Sequence, residues 1–174
     1  MKHWLLIFAA LAFGCSLQEP PVVDRPAAMK SYVIPFELDE SHVPIVSAII
    51  NINPDHPEVH PLAKRLAVDT GAAHTAFFVS NLAVSDLAKV VPHATVNERI
   101  AADGEIVWVC HFQTGRVTIG DLSVDMPVDA SGRDMTIEPG FDGVIGTDFL
   151  SRFSVQFDFT AKTMTLTERQ AIPQ

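Results

Sequence analysis

Apolar and polar residues alternate along much of the chain, in short runs separated by turn chemistry. Tyr32 to Leu38 and Val43 to Ile52 predict two strands, joined by Asp39-Glu40-Ser41-His42, a charged turn that faces water. Leu66, Ala67 and Val68 predict the end of a buried strand, and Ala76, Phe77, Phe78 and Val79 the start of another. Ser80 to Val91 predicts a short helix, capped by Ser80, with Leu82, Leu87 and Ala88 facing inward. Val96 to Ile100 and Ile106 to Phe112 flank Ala102-Asp103-Gly104, which has hairpin-turn chemistry. Arg116 to Val128 predicts a second hairpin with Gly120-Asp121 at its turn, and Ala130 to Pro139 a polar loop. Val144 and Ile145 form a short apolar strand that ends at Gly146, and Thr147 or Asp148 then caps a brief helix carrying Phe149, Leu150 and Phe153. Val155, Phe157 and Phe159 alternate with Gln156 and Asp158, and Met164 and Leu166 with Thr163 and Thr165, which predicts strand, turn, strand.

The two ends depart from this pattern. Lys2 and His3 precede an uncharged apolar run from Trp4 to Phe13, too short to span a bilayer comfortably, and Gly14-Cys15 follows. Residues 1–14 are therefore set aside as a signal peptide. Residues 15–31, with Pro20, Pro21 and Pro26, are expected to form an extended tether. Residues 32–168 then make one domain, long enough to bury a proper core, and 169–174 a frayed tail. The net charge of −9 and the lack of a basic stripe argue against a nucleic-acid partner.

The candidate chemistry centres on Asp69-Thr70-Gly71-Ala72, between two apolar strand ends. A carboxylate at such a place is expected to be buried, and burial is costly unless the group is hydrogen-bonded or functional. Thr70 supplies a hydroxyl, Gly71 a sharp turn with an open N–H, and Ala72 a small side chain. The alternative is a turn with a solvated Asp69. His74 invites reading as a catalytic base, but a side chain packed beside the turn is favoured. His56, Glu58 and His60 suggest a metal, yet Pro57 and Pro61 forbid the helix that would put two imidazoles on one face, so no metal is expected and the stretch is read as a surface loop. Trp108 is assigned to the core, and Cys110 to a buried free thiol, with a Cys15–Cys110 disulfide as the rival.

Taken together, the D-T-G-A turn after an apolar strand, then D-G-V-I-G-T-D-F-L from Asp142, then F-S-V-Q-F-D-F-T-A-K-T-M-T-L from Phe153, resemble a single-domain bacterial retropepsin-like aspartic protease. The upstream Ile34 to Leu38 and Val43 to Val46 are similar to that family's first strands, so the likeness runs in order from about Ile34 to Thr167. The resemblance implies a mainly β, closed retropepsin-like barrel with one or two short helices. It also implies an aspartic endopeptidase, without metal or organic cofactor, acting on a peptide or protein substrate.

Such chemistry needs two carboxyls, and the chain offers one D-T-G. The resemblance therefore implies a homodimer in which Asp69 of each subunit is catalytic, supported by Thr70, Gly71 and Ala72, with Ala102, Asp103 and Gly104 at the tip of a flap. Asp142-Gly143 lacks the hydroxyl and is read as structural. Asn53 to Arg65 departs from the family as an insertion before the D-T-G strand. L-A-F-G-C resembles a bacterial lipoprotein signal, with Cys15 acylated and the chain anchored on the periplasmic face of the outer membrane. Simple secretion stays open, and the rival function is a non-catalytic anchored lipoprotein that binds a peptide or envelope partner in the same cleft.

Overall fold

A computed structural model describes residues 29–55, 60–78, 94–100, 104–132 and 140–169. The expected signal peptide, Cys15 and most of the expected tether, the helix expected over 80–91, and Ala102 and Asp103 lie outside the described residues, as do His56, Glu58, positions 133–139 and 170–174. The described chain forms β1 (Ser31–Pro35), β2 (Glu37–Leu38), β3 (Pro44–Asn51), β4 (Leu62–Val68), β5 (Ala76–Phe78), β6 (Thr95–Ile100), β7 (Ile106–Ile119) and β8 (Leu122–Ser131). It continues with β9 (Gly143–Ile145), a single-turn helix α1 (Thr147–Leu150), β10 (Phe153–Asp158) and β11 (Thr163–Glu168).

The strand expected from Tyr32 to Leu38 is divided between two sheets. β1 pairs with β11 in a three-stranded sheet completed by β10, while β2 pairs with β3 in the larger sheet. The break falls at Pro35-Phe36. Pro35 has no N–H to continue a ladder, and Phe36 is buried at the crossing, its own N–H donating to Lys162 O at 2.9 Å. The insertion expected before the D-T-G strand is shorter than Asn53 to Arg65, because its last four residues already belong to β4.

In the larger sheet the order is β2-β3-β4-β9-β5-β8-β7-β6, and a further β3–β7 pairing closes β3, β4, β9, β5, β8 and β7 into a six-stranded barrel. Inward positions alternate with outward ones, as barrel strands require. On β8 the buried apolar positions are Leu122, Val124, Met126, Val128 and Ala130, and they meet Ile50, Leu66, Phe77, Val117 and Ile145 in the core. One residue too many in β7, between Phe112 and Gly115, shifts the register against β8 and keeps both of those positions on the inward side. Gly115 suits the bulge, since a Cβ there would lie 2.8 Å from Val128 Cγ2.

Consecutive strands β4 and β5 do not form a hairpin. β9 lies between them, parallel to β4 and antiparallel to β5, with Gly143 opposite both Leu66 and Phe77. Gly143 allows this close fit: a side chain there would collide with Ala76 O and Phe77 Cα. The insertion of β9 carries Gly146, Thr147 and Asp148 to the turn that follows β4.

Candidate active site

β4 ends at Val68, and Asp69 is the first residue of the turn beyond it. Its N–H donates to Ile145 O at 3.1 Å, which carries the β4–β9 ladder one step further, and its own carbonyl accepts Ala72 N–H at 3.3 Å. Oδ1 of Asp69 accepts the Gly71 N–H at 2.8 Å. Gly71 is fitted closely to it, since a Cβ would stand 3.1 Å from the same oxygen. Sequence reasoning places Asp69 in a buried setting; in the single chain it is exposed, as are Thr70 and Gly71. The reason is positional: Val68 is the last residue that the barrel covers, and the turn leaves the strand end toward solvent.

The turn is fixed from below. Thr75 is fully buried, and its N–H is shared between the two carboxylate oxygens of Asp148, each at 2.9 Å. Thr75 Oγ1 donates to Asp148 Oδ1 at 2.7 Å and accepts the Gly146 N–H at 3.1 Å. Ala72 O accepts both the backbone N–H and the hydroxyl of Thr147, at 2.8 and 3.1 Å. Gly146 allows this approach, because a Cβ there would press on the His74 backbone at 2.5 to 2.9 Å. The helix cap is thus Gly146, with no side-chain cap bond, and not Thr147 or Asp148. Those two side chains are turned toward the Asp69 turn instead. His74 is exposed, its Nδ1 3.9 Å from Asp148 Oδ2.

A groove of about 620 Å³ opens beside Asp69. It is lined by Ala67, Val68, Val144 and Phe141 and by the β2–β3 turn from Asp39 to Pro44. That turn is held by Asp39, whose carboxylate accepts Val43 N–H at 2.7 Å, with His42 in the left-handed region at φ 65°. Asp142 faces elsewhere: its Oδ2 accepts Arg65 N–H at 2.8 Å and its N–H donates to Arg65 O at 2.6 Å, so it ties the start of β9 to β4.

The β6–β7 hairpin is the one the sequence assigns to a flap. Gly104, at φ 85°, is the described residue of its tip. Trp108 is 59% exposed, against its assignment to the core. Cross-strand register explains the difference. Val96 stands opposite Cys110, Glu98 opposite Trp108 and Ile100 opposite Ile106, so these residues share one face. By alternation that face continues the inward side of β7, where Phe112 is buried, but the hairpin projects past the barrel and nothing described covers it. Val96, Ile100, Ile106 and Trp108 are accordingly exposed together. Cys110 is half-buried and free, and partial burial pushes its thiol above the ordinary range.

A cluster on the opposite face escaped sequence reasoning. Asp129 of β8 is buried, its Oδ1 2.6 Å from His111 Nδ1 and its Oδ2 2.7 Å from Arg99 Nη1. In the sequence Asp129 falls between the hairpin expected to end at Val128 and the polar loop expected from Ala130. The only available signal was the acid itself between two apolar residues, Val128 and Ala130. Among the described residues no group of three or more His, Cys, Asp or Glu side chains is placed to hold a metal.

No family model matches the chain, and no curated protein does. Among solved structures it is similar to a retropepsin-like aspartic protease from Rickettsia conorii, at 14% identity and a TM-score of 0.50, covering 81% of this chain and 94% of that one. It also aligns with the retroviral protease-like domain of Ddi1 from Leishmania major, at 14% identity and a TM-score of 0.45, covering 70% of this chain and 87% of that one. The first of these likenesses establishes the fold: the chain is a mainly β, retropepsin-like barrel.

Proposed function

We propose that the chain is an aspartic endopeptidase whose active form is a homodimer. The observation that carries the reading is an exposed carboxylate held rigidly: Asp69 Oδ1 accepts Gly71 N–H at 2.8 Å, on a turn braced by Thr75, Asp148 and Thr147. Exposed carboxylates have no need of such bracing for stability. A carboxylate that must meet its copy across a two-fold axis needs both the exposure and the bracing.

In the paired site one Asp69 is ionised and the other protonated, because two like charges at hydrogen-bond distance do not both ionise. The ionised carboxyl takes a proton from water as the water oxygen attacks the peptide carbonyl carbon. The protonated one gives its proton to the carbonyl oxygen, forming a gem-diol. As the diol collapses and the C–N bond breaks, the leaving nitrogen takes the proton gained from water, and one diol hydroxyl returns its proton to the other, now ionised carboxyl, which restores the pair.

Mixing tests the shared site directly. With equal amounts of wild type and an inactive Asp69→Asn chain, exchanged to equilibrium, random pairing leaves about one quarter of dimers with two acids, so total activity is about one quarter of that of an all-wild-type sample, against about one half if each chain works alone. Specific activity per wild-type chain should fall by about half. A value unchanged by the mixing would sink the homodimer.

The second reading is a non-catalytic module that binds a peptide or envelope partner, and the exposed Val96, Ile100, Ile106 and Trp108 face favours it. Both readings predict peptide affinity; only the first predicts cleavage that disappears with Asp69. Anchoring at the outer membrane through an acylated Cys15 belongs to either. It rests on the L-A-F-G-C pattern, and Cys15→Ser should move the chain from the membrane fraction to the soluble one.

A further inference from the structure

Among the described residues β6 has few ties to the molecule. There it is the edge strand of the larger sheet and pairs with β7 alone. Of its six residues only Arg99 is not exposed. Two-stranded ribbons without a buried face are marginal in water, so the ladder by itself is a weak tether. Arg99 stands opposite Val107, and its guanidinium crosses β7 to reach Asp129 on the third strand. His111, on β7 between them, stands opposite both Thr95 and Asp129 and bonds the other carboxylate oxygen. One buried acid therefore ties together three neighbouring strands.

Asp129 also faces the Asp69 turn. It stands opposite Ala76 in the parallel β5–β8 pair, and its N–H donates to Thr75 O at 3.1 Å. Thr75 is the residue whose N–H and hydroxyl Asp148 holds. The side chain of Asp129 thus grips the hairpin while its backbone grips the base of the turn. A buried carboxylate is costly and is retained only when partners compensate it. At an outward strand position an apolar residue would pack without that cost.

We infer that Asp129, through Arg99 and His111, is a positioning residue that sets the β6–β7 hairpin against the turn bearing Asp69. The tie stands on the geometry alone. Its consequence for substrate rests on the peptidase reading: a hairpin released from Asp129 contacts peptide less well, while the carboxyl pair is untouched.

Arg99→Met tests the tie, since Arg99 is partly exposed and its loss leaves Asp129 bonded to His111. Hydrogen exchange should quicken at least about tenfold for amides of the β6–β7 ladder, with β3 and β4 unchanged, and Arg99→Lys should restore most of the protection. In a peptide-cleavage assay the same variant should raise KM about tenfold and leave kcat within about twofold. Hairpin protection unchanged in Arg99→Met overturns the inference, whether or not the chain cleaves peptides. So does a uniform loss of protection throughout the barrel, which marks a merely global role. Hairpin exchange that quickens in a chain with no peptidase activity supports the tie and counts against the proposed function alone.

Discussion

On the proposed peptidase reading, Asp69→Asn is expected to lower peptide cleavage by at least about 10³-fold, the scale of losing a general acid–base group, with the fold intact. The asparagine keeps the shape of the side chain and an oxygen to accept the Gly71 N–H, so the turn survives. What disappears is ionisation: an amide neither takes a proton from water nor shares one with its twin. Because Asp69 is exposed in the single chain, the melting temperature should stay within about 2 °C of wild type, as for surface substitutions generally. The measurement is cleavage of a mixed peptide library by the purified chain, read by mass spectrometry beside the variant. Equal cleavage by both would end the peptidase reading and leave the binding module.

Asp148→Ala is expected to damage stability and activity together. Thr75 is fully buried, and Asp148 is the acceptor for both its N–H and its hydroxyl. Truncation leaves two buried donors unpaired, at roughly 1–3 kcal/mol each before relaxation. For a domain of this size that corresponds to a melting temperature lower by about 10 °C or more. Activity measured well below the new melting point should still fall by more than about tenfold if the proposed acid pair is the active site, because the turn loses its floor and the two carboxyls would lose their alignment. Asp148→Asn, which keeps one acceptor oxygen, should lie between. Calorimetry and the same cleavage assay decide it. An unchanged melting temperature for the alanine variant would show that the Thr75 contacts do not hold the turn.

Much of the architecture is written in period two. The β10–β11 hairpin, the β7–β8 hairpin with Gly120 at φ 56° in its two-residue turn, and β3 follow alternation and turn chemistry closely. The D-T-G turn and the G-T-D segment are each visible as local signals, and their order along the chain is enough to suggest how they combine. Trp108 is where local reading fails. An aromatic residue in an apolar run reads as core, but whether that run stays under the barrel or projects beyond it depends on where the partner strands end. The Asp129 cluster fails to show for a related reason: its three members lie on three strands, and no spacing within any one of them marks the meeting.

The sequence by itself determined most of the strands and the turn that carries the single acid, with Gly71 inside it, because each answers to forces acting within a few residues. Only the tertiary structure decided that β9 lies between β4 and β5, bringing Asp148 to Thr75. It alone decided that Asp69 emerges exposed and that Arg99 reaches a buried Asp129 across an intervening strand. These depend on which surfaces the closed barrel covers, and burial is a property of the whole packing that local patterns do not contain.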